Sequence, residues 1–140
     1  MTVDTTAGFK FMYRICGKEP TRVKYKFKDT ETLTKGDLVN LESGEVDLAA
    51  TNDGALLGIV NETKAGVDST TEIECIVDAD AVYAVYDPVA RSAGDILDLA
   101  GTTGAMTVAT DSSHDLRVVA NSTANEWTLV MINESKHYLN

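Results

Sequence analysis

The chain has 140 residues, which is enough for one domain with a hydrophobic core. With 44% hydrophobic and 24% charged residues, and with only two prolines and ten glycines, its composition excludes a collagen-like chain and argues against a disordered one. No apolar run approaches the roughly 18 residues of a membrane helix. The first residues carry neither a basic start nor an apolar segment. We therefore expect no membrane partner and no signal peptide.

The net charge of −10 is unevenly distributed along the chain. Residues 1–35 hold eight basic and four acidic residues, whereas residues 36–140 hold four basic and eighteen acidic residues. Domains that bind nucleic acid normally carry a basic body. The acidic balance of the main part therefore predicts no nucleic-acid partner.

Residues 1–8 are predicted to form a flexible N-terminal arm, and residues 9–140 a single β domain. Apolar and polar residues alternate over 9–15 and again over 22–28, which predicts two strands. The turn residues Gly17-Lys18-Glu19-Pro20 lie between them, so we expect a β-hairpin. The second strand places four cations on one face over roughly 20 Å; these are Arg22, Lys24, Lys26 and Lys28.

An internal repeat follows, in which residues of about 33–63 return at about 91–123. Gly36-Asp37-Leu38-Val39 corresponds to Gly94-Asp95-Ile96-Leu97, and two further runs correspond, 43–49 with 103–109 and 57–61 with 117–121. These pairings give an offset of 58 to 60 residues. Because turn and strand residues are repeated, and not chemically reactive ones, the duplication preserves a shape.

The rest of the chain predicts more strands. Residues 72–77, 81–86 and 127–132 are rich in β-branched and aromatic residues, and Asp78-Ala79-Asp80 suits a turn between the first two. No window of 11–18 residues has convincing helical periodicity. The sequence thus predicts a small all-β fold, a barrel or sandwich of β-tulip-like type, with an N-terminal arm and hairpin.

Residues that could carry chemistry are few. The histidines, His114 and His137, are expected to be solvated, and Cys16 and Cys75 to be buried free thiols. The carboxylates of Asp78-Ala79-Asp80 are explained by a turn, and residues 111–115 lack the spacing of a calcium-binding EF-hand. We therefore predict no catalytic residue, no cofactor and no metal site.

The basic strand has two interpretations, a solvated sheet face or a docking face for an acidic protein surface. Cations of the preceding strand would extend such a surface. The candidate binding residues are Lys10, Arg14, Arg22, Lys24, Lys26 and Lys28.

A resemblance narrows the function. The pattern Gly-Asp-apolar-apolar-x-Leu at 36–41, then Gly-x-Val-x-Leu-Ala at 44–49, then Leu-Gly-Ile-Val-Asn-Glu-Thr at 57–63, resembles capsid decoration (cement) proteins of tailed bacteriophages. It covers residues 33–63, with a weaker echo at 91–123. The resemblance implies a non-enzymatic virion protein, made in the host bacterial cytoplasm, that binds the capsid exterior. It also implies contact with the major capsid protein, bridging of neighbouring subunits, and a homo-oligomer, with a trimer favoured.

Three alternatives remain open at the level of sequence. The first is another β module of the virion, such as a head fibre base or a tail component. The second is a carbohydrate-binding module, which needs exposed aromatic rings, whereas Trp127 lies in an apolar run and is expected to be buried. The third is an acid–base or metal-dependent enzyme, which needs carboxylates gathered in a concave pocket.

Overall fold

The computed structural model describes residues 8–28, 30–50, 53–68, 70–110 and 115–138. Within these ranges the chain forms strands throughout, with one short 3-10 helix at Glu134–Lys136. The strands are β1 (Lys10–Arg14), β2 (Arg22–Phe27), β3 (Thr32–Leu33), β4 (Leu38–Glu42), β5 (Glu45–Leu48), β6 (Leu56–Val60), β7 (Lys64–Ala65), β8 (Glu72–Ile76), β9 (Ala81–Asp87), β10 (Ile96–Ala100), β11 (Thr107–Thr110), β12 (Leu116–Val118) and β13 (Glu126–Ile132). The predicted all-β fold is confirmed.

The strands form a closed barrel, a larger open sheet and a small ribbon. The barrel runs β2-β5-β4-β6-β8, with β2 and β5 parallel and the other pairs antiparallel. The six-stranded sheet has the order β1-β9-β13-β12-β10-β11, and β3 pairs with β7. A barrel was one of the two predicted architectures, and the structure contains it.

The internal repeat is larger than the sequence indicated. In each half, a central strand pairs with the next two: β4 with β5 and β6, and β10 with β11 and β12. The likeness continues outward, because β6 pairs with β8 and β8 with β2, just as β12 pairs with β13 and β13 with β9. The chain therefore contains two five-stranded modules of one plan, module 1 (β2, β4, β5, β6, β8) and module 2 (β9 to β13).

The alignment of the two copies is wrong by two residues in both outer strands. Equivalent hydrogen bonds run from Gly36 N to Val60 O and from Gly94 N to Val118 O, so β6 and β12 are 58 residues apart, and not 60. Opposite the central strands, Val46 of β5 corresponds to Val108 of β11, an offset of 62. A slip of two residues keeps every side chain on the same face, so the apolar pattern could not detect it.

The predicted β-hairpin of residues 9–28 is wrong. β1 pairs with β9 in the sheet, whereas β2 pairs with β8 in the barrel. The turn at 78–80, which was predicted correctly, binds both ends of the connection between them. Asp80 Oδ2 accepts from Cys16 N at 3.2 Å, and Asp78 Oδ2 accepts from Thr21 N at 2.7 Å. These bonds direct the two strands to different sheets.

Two hydrophobic cores hold the molecule together. One fills the barrel and includes Phe27, Leu57 and Val60; the other includes Leu56, Ile59 and many side chains of the six-stranded sheet. β6 supplies both cores from its two faces, and all five of its residues are buried. Because the second core draws on both modules, they form one small domain.

A buried carboxylate also joins the modules. Asp37 is 1% exposed and accepts hydrogen bonds from Thr34 N and Gly104 N, both at 2.9 Å, and from the Thr103 hydroxyl. Thr34 lies in module 1's own turn, whereas the other two donors belong to the connection between β10 and β11. The repeated Gly-Asp turn is therefore also a link between the two copies.

The predicted arm begins one residue earlier in the chain than the ordered fold. Gly8 is buried, and its N–H donates to Met106 O at 2.8 Å. Residues 1–7 lie outside the described part of the structure. Gly8 therefore belongs to the body of the protein, which it enters beside module 2.

Both cysteines are free, but only Cys75 is buried. Burial raises the pKa of the Cys75 thiol to about 12, with smaller contributions from Glu62 and Glu74. The expectation of burial is wrong for Cys16, because β1 ends at Arg14 and Cys16 falls in the exposed turn after it.

Candidate functional site

The basic strand lies on the outside of the barrel, as its alternation predicted. The four cations of β2 and its end are exposed, while Phe27 is 2% exposed and points into the barrel core. We call these four residues the basic stripe; they are Arg22, Lys24, Lys26 and Lys28.

Carboxylates of the neighbouring strands face the basic stripe. Lys24 lies opposite Glu74, and Lys26 opposite Glu72, on β8. Ion pairs occur at both ends: Arg22 Nε lies 3.8 Å from Glu74 Oε1, and Lys28 Nζ lies 2.6 Å from Glu42 Oε2 and 3.8 Å from Asp47 Oδ2. The local charge is therefore much less positive than the sequence suggests, because folding places acidic strands on both sides.

The other two candidate cations lie apart from the stripe, on β1. Lys10 Nζ lies 4.6 Å from the ring centroid of Trp127, which is half-buried and not fully buried as expected. Arg14 binds Asp80 at 2.8 Å and lies 3.4 Å from Asp78. Burial alone would raise the pKa of Asp80, but hydrogen bonds from Arg14 and Cys16 lower it to about 2. Arg14 thus fixes the turn at 78–80.

A groove of about 490 Å³ lies where the N-terminal segment crosses the outside of the barrel. Its apolar lining includes Phe9, Phe11, Ile59 and Ile76, and two cations, Arg22 and Lys35, also line it. Such a groove fits an apolar side chain that carries or adjoins a negative charge.

His137 is buried, contrary to the expectation that it is solvated. It is 4% exposed, because the chain after the 3-10 helix returns to β6, where Tyr138 N donates to Leu56 O at 2.8 Å. A cavity of about 260 Å³ beside it is also lined by Asp80, Arg117 and Glu134. The other histidine, His114, lies outside the described residues.

Burial of His137 predicts a loss of stability in mild acid. Burial lowers the pKa of His137, and hydrogen bonds with the Leu57 and Val77 backbones and the charge of Asp78 only partly oppose this. The unfolded chain, with a pKa of about 6.5, then binds the proton more readily, so stability falls as the pH drops below that value. We expect the urea midpoint to fall between pH 8 and pH 5.5.

The variant His137→Gln should reduce this pH dependence, whereas His114→Gln serves as the matched control. Equal pH dependence in His137→Gln and the parent protein would contradict the assignment to His137. The slope with pH is the informative quantity, since either substitution can also change stability at a single pH.

Carboxylates do not gather into a ligand set in the part of the chain that the structure describes. There, no group of three or more His, Cys, Asp or Glu side chains is placed to hold a metal ion. Asp115 is buried and accepts from Leu99 N at 3.2 Å, while residues 111–114 lie outside the described ranges. Within the same ranges, no helix is long and apolar enough to span a membrane.

The fold and the surface together define a small all-β module built on a duplicated five-stranded plan. No family model matches the chain, and no curated protein matches it. Among solved structures, the head fiber gp8.5 N base in bacteriophage phi29 has a similar fold, with a TM-score of 0.52 and 18% sequence identity. The match covers 83% of this chain and 98% of that chain. At this identity, the likeness shows a shared fold.

Proposed function

We propose that the chain is a non-enzymatic structural protein of a tailed-bacteriophage virion and binds the outer surface of the capsid. The observation that supports this most is the fold shared with a head fiber base, over 98% of that protein's chain. The motif at residues 33–63, which resembles capsid decoration proteins, points independently to the same location.

The capsid contact that we propose uses the centre of the basic stripe. Lys24 and Lys26 are exposed and make no ion pair with any described residue, whereas Lys28 and Arg14 are engaged within the molecule. Glu72 and Glu74 lie beside them, so the complementary surface on the major capsid protein would carry both signs of charge. Several copies, favoured as a trimer, would bridge neighbouring capsid subunits and add weak contacts.

A second candidate function is that of a head fibre base, which the fold likeness to such a base favours. The two roles differ in what removal does. Loss of a decoration protein should lower the temperature at which heads release their DNA. Loss of a fibre base should leave that temperature unchanged and remove an appendage visible by electron microscopy.

Co-sedimentation with phage heads that lack this chain tests the proposal. The double variant Lys24→Glu/Lys26→Glu should bind at least about tenfold more weakly than the parent protein at low salt. The control Lys18→Glu/Lys64→Glu makes the same charge change at exposed residues outside the stripe and should bind like the parent. Failure of the parent protein to bind heads would contradict the capsid role. Equal binding by both variants would contradict only the role of the stripe.

A further inference from the structure

The two modules differ in one place, at the outer edge of β2 and its counterpart β9. The pair Val23 and Cys75 in module 1 corresponds to Tyr83 and Val130 in module 2. In module 2, β1 covers the edge of β9 from Ala81 to Ala84. In module 1, β5 pairs only with the last two residues of β2. Among the described residues, no strand occupies the rest of that edge.

The backbone of β2 presents unpaired groups along this open edge. Phe27 N donates to Thr71 O, and Val77 N donates to Thr21 O, so the odd-numbered residues of β2 face β8. In an antiparallel ladder the alternate residues point the other way. The N–H and C=O groups of Arg22 and Lys24 therefore point to the open edge, where no described residue bonds them. On β9, the corresponding Val82 and Ala84 pair with β1.

Side-chain burial differs in the same way. Val23 is 36% exposed, whereas its counterpart Tyr83 is fully buried and contacts Phe11 of β1 edge-on, at 6.4 Å between ring centroids. A strand added to β2 would cover Val23 with an apolar side chain. Module 2 therefore shows in the same molecule how this edge is completed.

We propose that the open edge of β2, over residues 22–25, pairs with a β-strand of a partner protein in which carboxylates alternate with apolar side chains. Residues directly opposite on neighbouring strands share a face, so side chains facing Arg22 and Lys24 on the solvent side would be Asp or Glu. A second copy's β1 is disfavoured, because its Lys10 and Arg14 would bring like charges to this edge. The inference rests on the edge geometry and stands apart from the proposed function.

Titration with a capped peptide of about seven residues, alternating Glu with Val and Tyr, tests this by NMR of the full chain. The amides of Arg22 and Lys24 should shift and gain protection from hydrogen exchange, since they acquire acceptors. The amides of Val23 and Tyr25, already bonded to β8, should keep their protection. This alternation along one strand distinguishes strand addition from attraction to a charged surface.

Two substitutions at one position separate the backbone from the charge. Lys24→Pro removes an N–H that the fold does not use and should abolish the protection at Arg22. Lys24→Gln keeps the N–H, and binding should weaken only several-fold. A peptide with Lys in place of Glu should not bind.

Three outcomes would overturn the inference. They are no binding of the Glu peptide at about 1 mM, shifts centred away from β2, and equal binding of the Lys peptide. Shifts of the same amides on raising the protein concentration alone would also overturn it, because the occupant would then be a second copy.

Discussion

Gly58→Ala should lower the free energy of unfolding by about 3 kcal/mol or more. Gly58 lies in β6 with φ +154°, and a Cβ built there would lie 1.8 Å from Ile76 O and 3.1 Å from Tyr83 Oη. The contact is with the backbone of β8, which a side-chain rotation cannot relieve. β6 and β8 would have to separate, although residues on both faces of β6 are buried in the two cores.

Gly94→Ala is the matched control for this substitution. Gly94 also has a positive φ, +92°, but nothing lies within 4 Å of its added Cβ, so the cost should be about 1 kcal/mol from the backbone conformation alone. Urea unfolding followed by Trp127 fluorescence measures both. A cost for Gly58→Ala equal to that of Gly94→Ala would show that β6 and β8 are not in this close contact.

Arg91→Met should destabilise the protein by about 3–5 kcal/mol, because it leaves a buried carboxylate without its partner. Arg91 Nε lies 2.7 Å from Asp87 Oδ2, and the two side chains are 11% and 1% exposed. Asp87 is the last residue of β9, and its Oδ1 also accepts from Val89 N at 3.0 Å. The ion pair thus fixes the direction in which the chain leaves β9.

Arg22→Met provides the comparison, since the Arg22 side chain is 49% exposed and its ion pair with Glu74 is 3.8 Å long. We expect a cost below about 1 kcal/mol there. The cost at Arg91 should also persist in 0.5 M salt, because buried pairs are screened only weakly. Similar costs at the two positions would contradict the burial of the Asp87–Arg91 pair.

Local patterns in the sequence predicted much of the fold. Alternation identified β2, and the turn chemistry of Asp78-Ala79-Asp80 placed the connection between β8 and β9. The hairpin prediction failed because it assumed that β1 and β2, neighbours in the chain, are also neighbours in space. The bonds from Cys16 N to Asp80 and from Thr21 N to Asp78 decide otherwise, and both span more than 50 residues.

The candidate surface was predicted less completely than the fold. The outward face of β2 follows from its alternation, but the carboxylates that face it come from β4, β5 and β8. Their positions depend on strand pairing between segments far apart in sequence. The burial of His137 depends likewise on a bridge to Leu56. No local pattern near residues 134–138 signals that contact, because the segment itself is polar.

The proposal that the chain lies on the capsid exterior is tested most directly by electron cryomicroscopy. Heads from the phage that encodes the chain would be compared with heads from a mutant that lacks it. The account predicts that the outer surface of the shell loses density of the size and shape of the two-module β domain, with β2 facing the capsid. Identical outer surfaces in the two maps would contradict it.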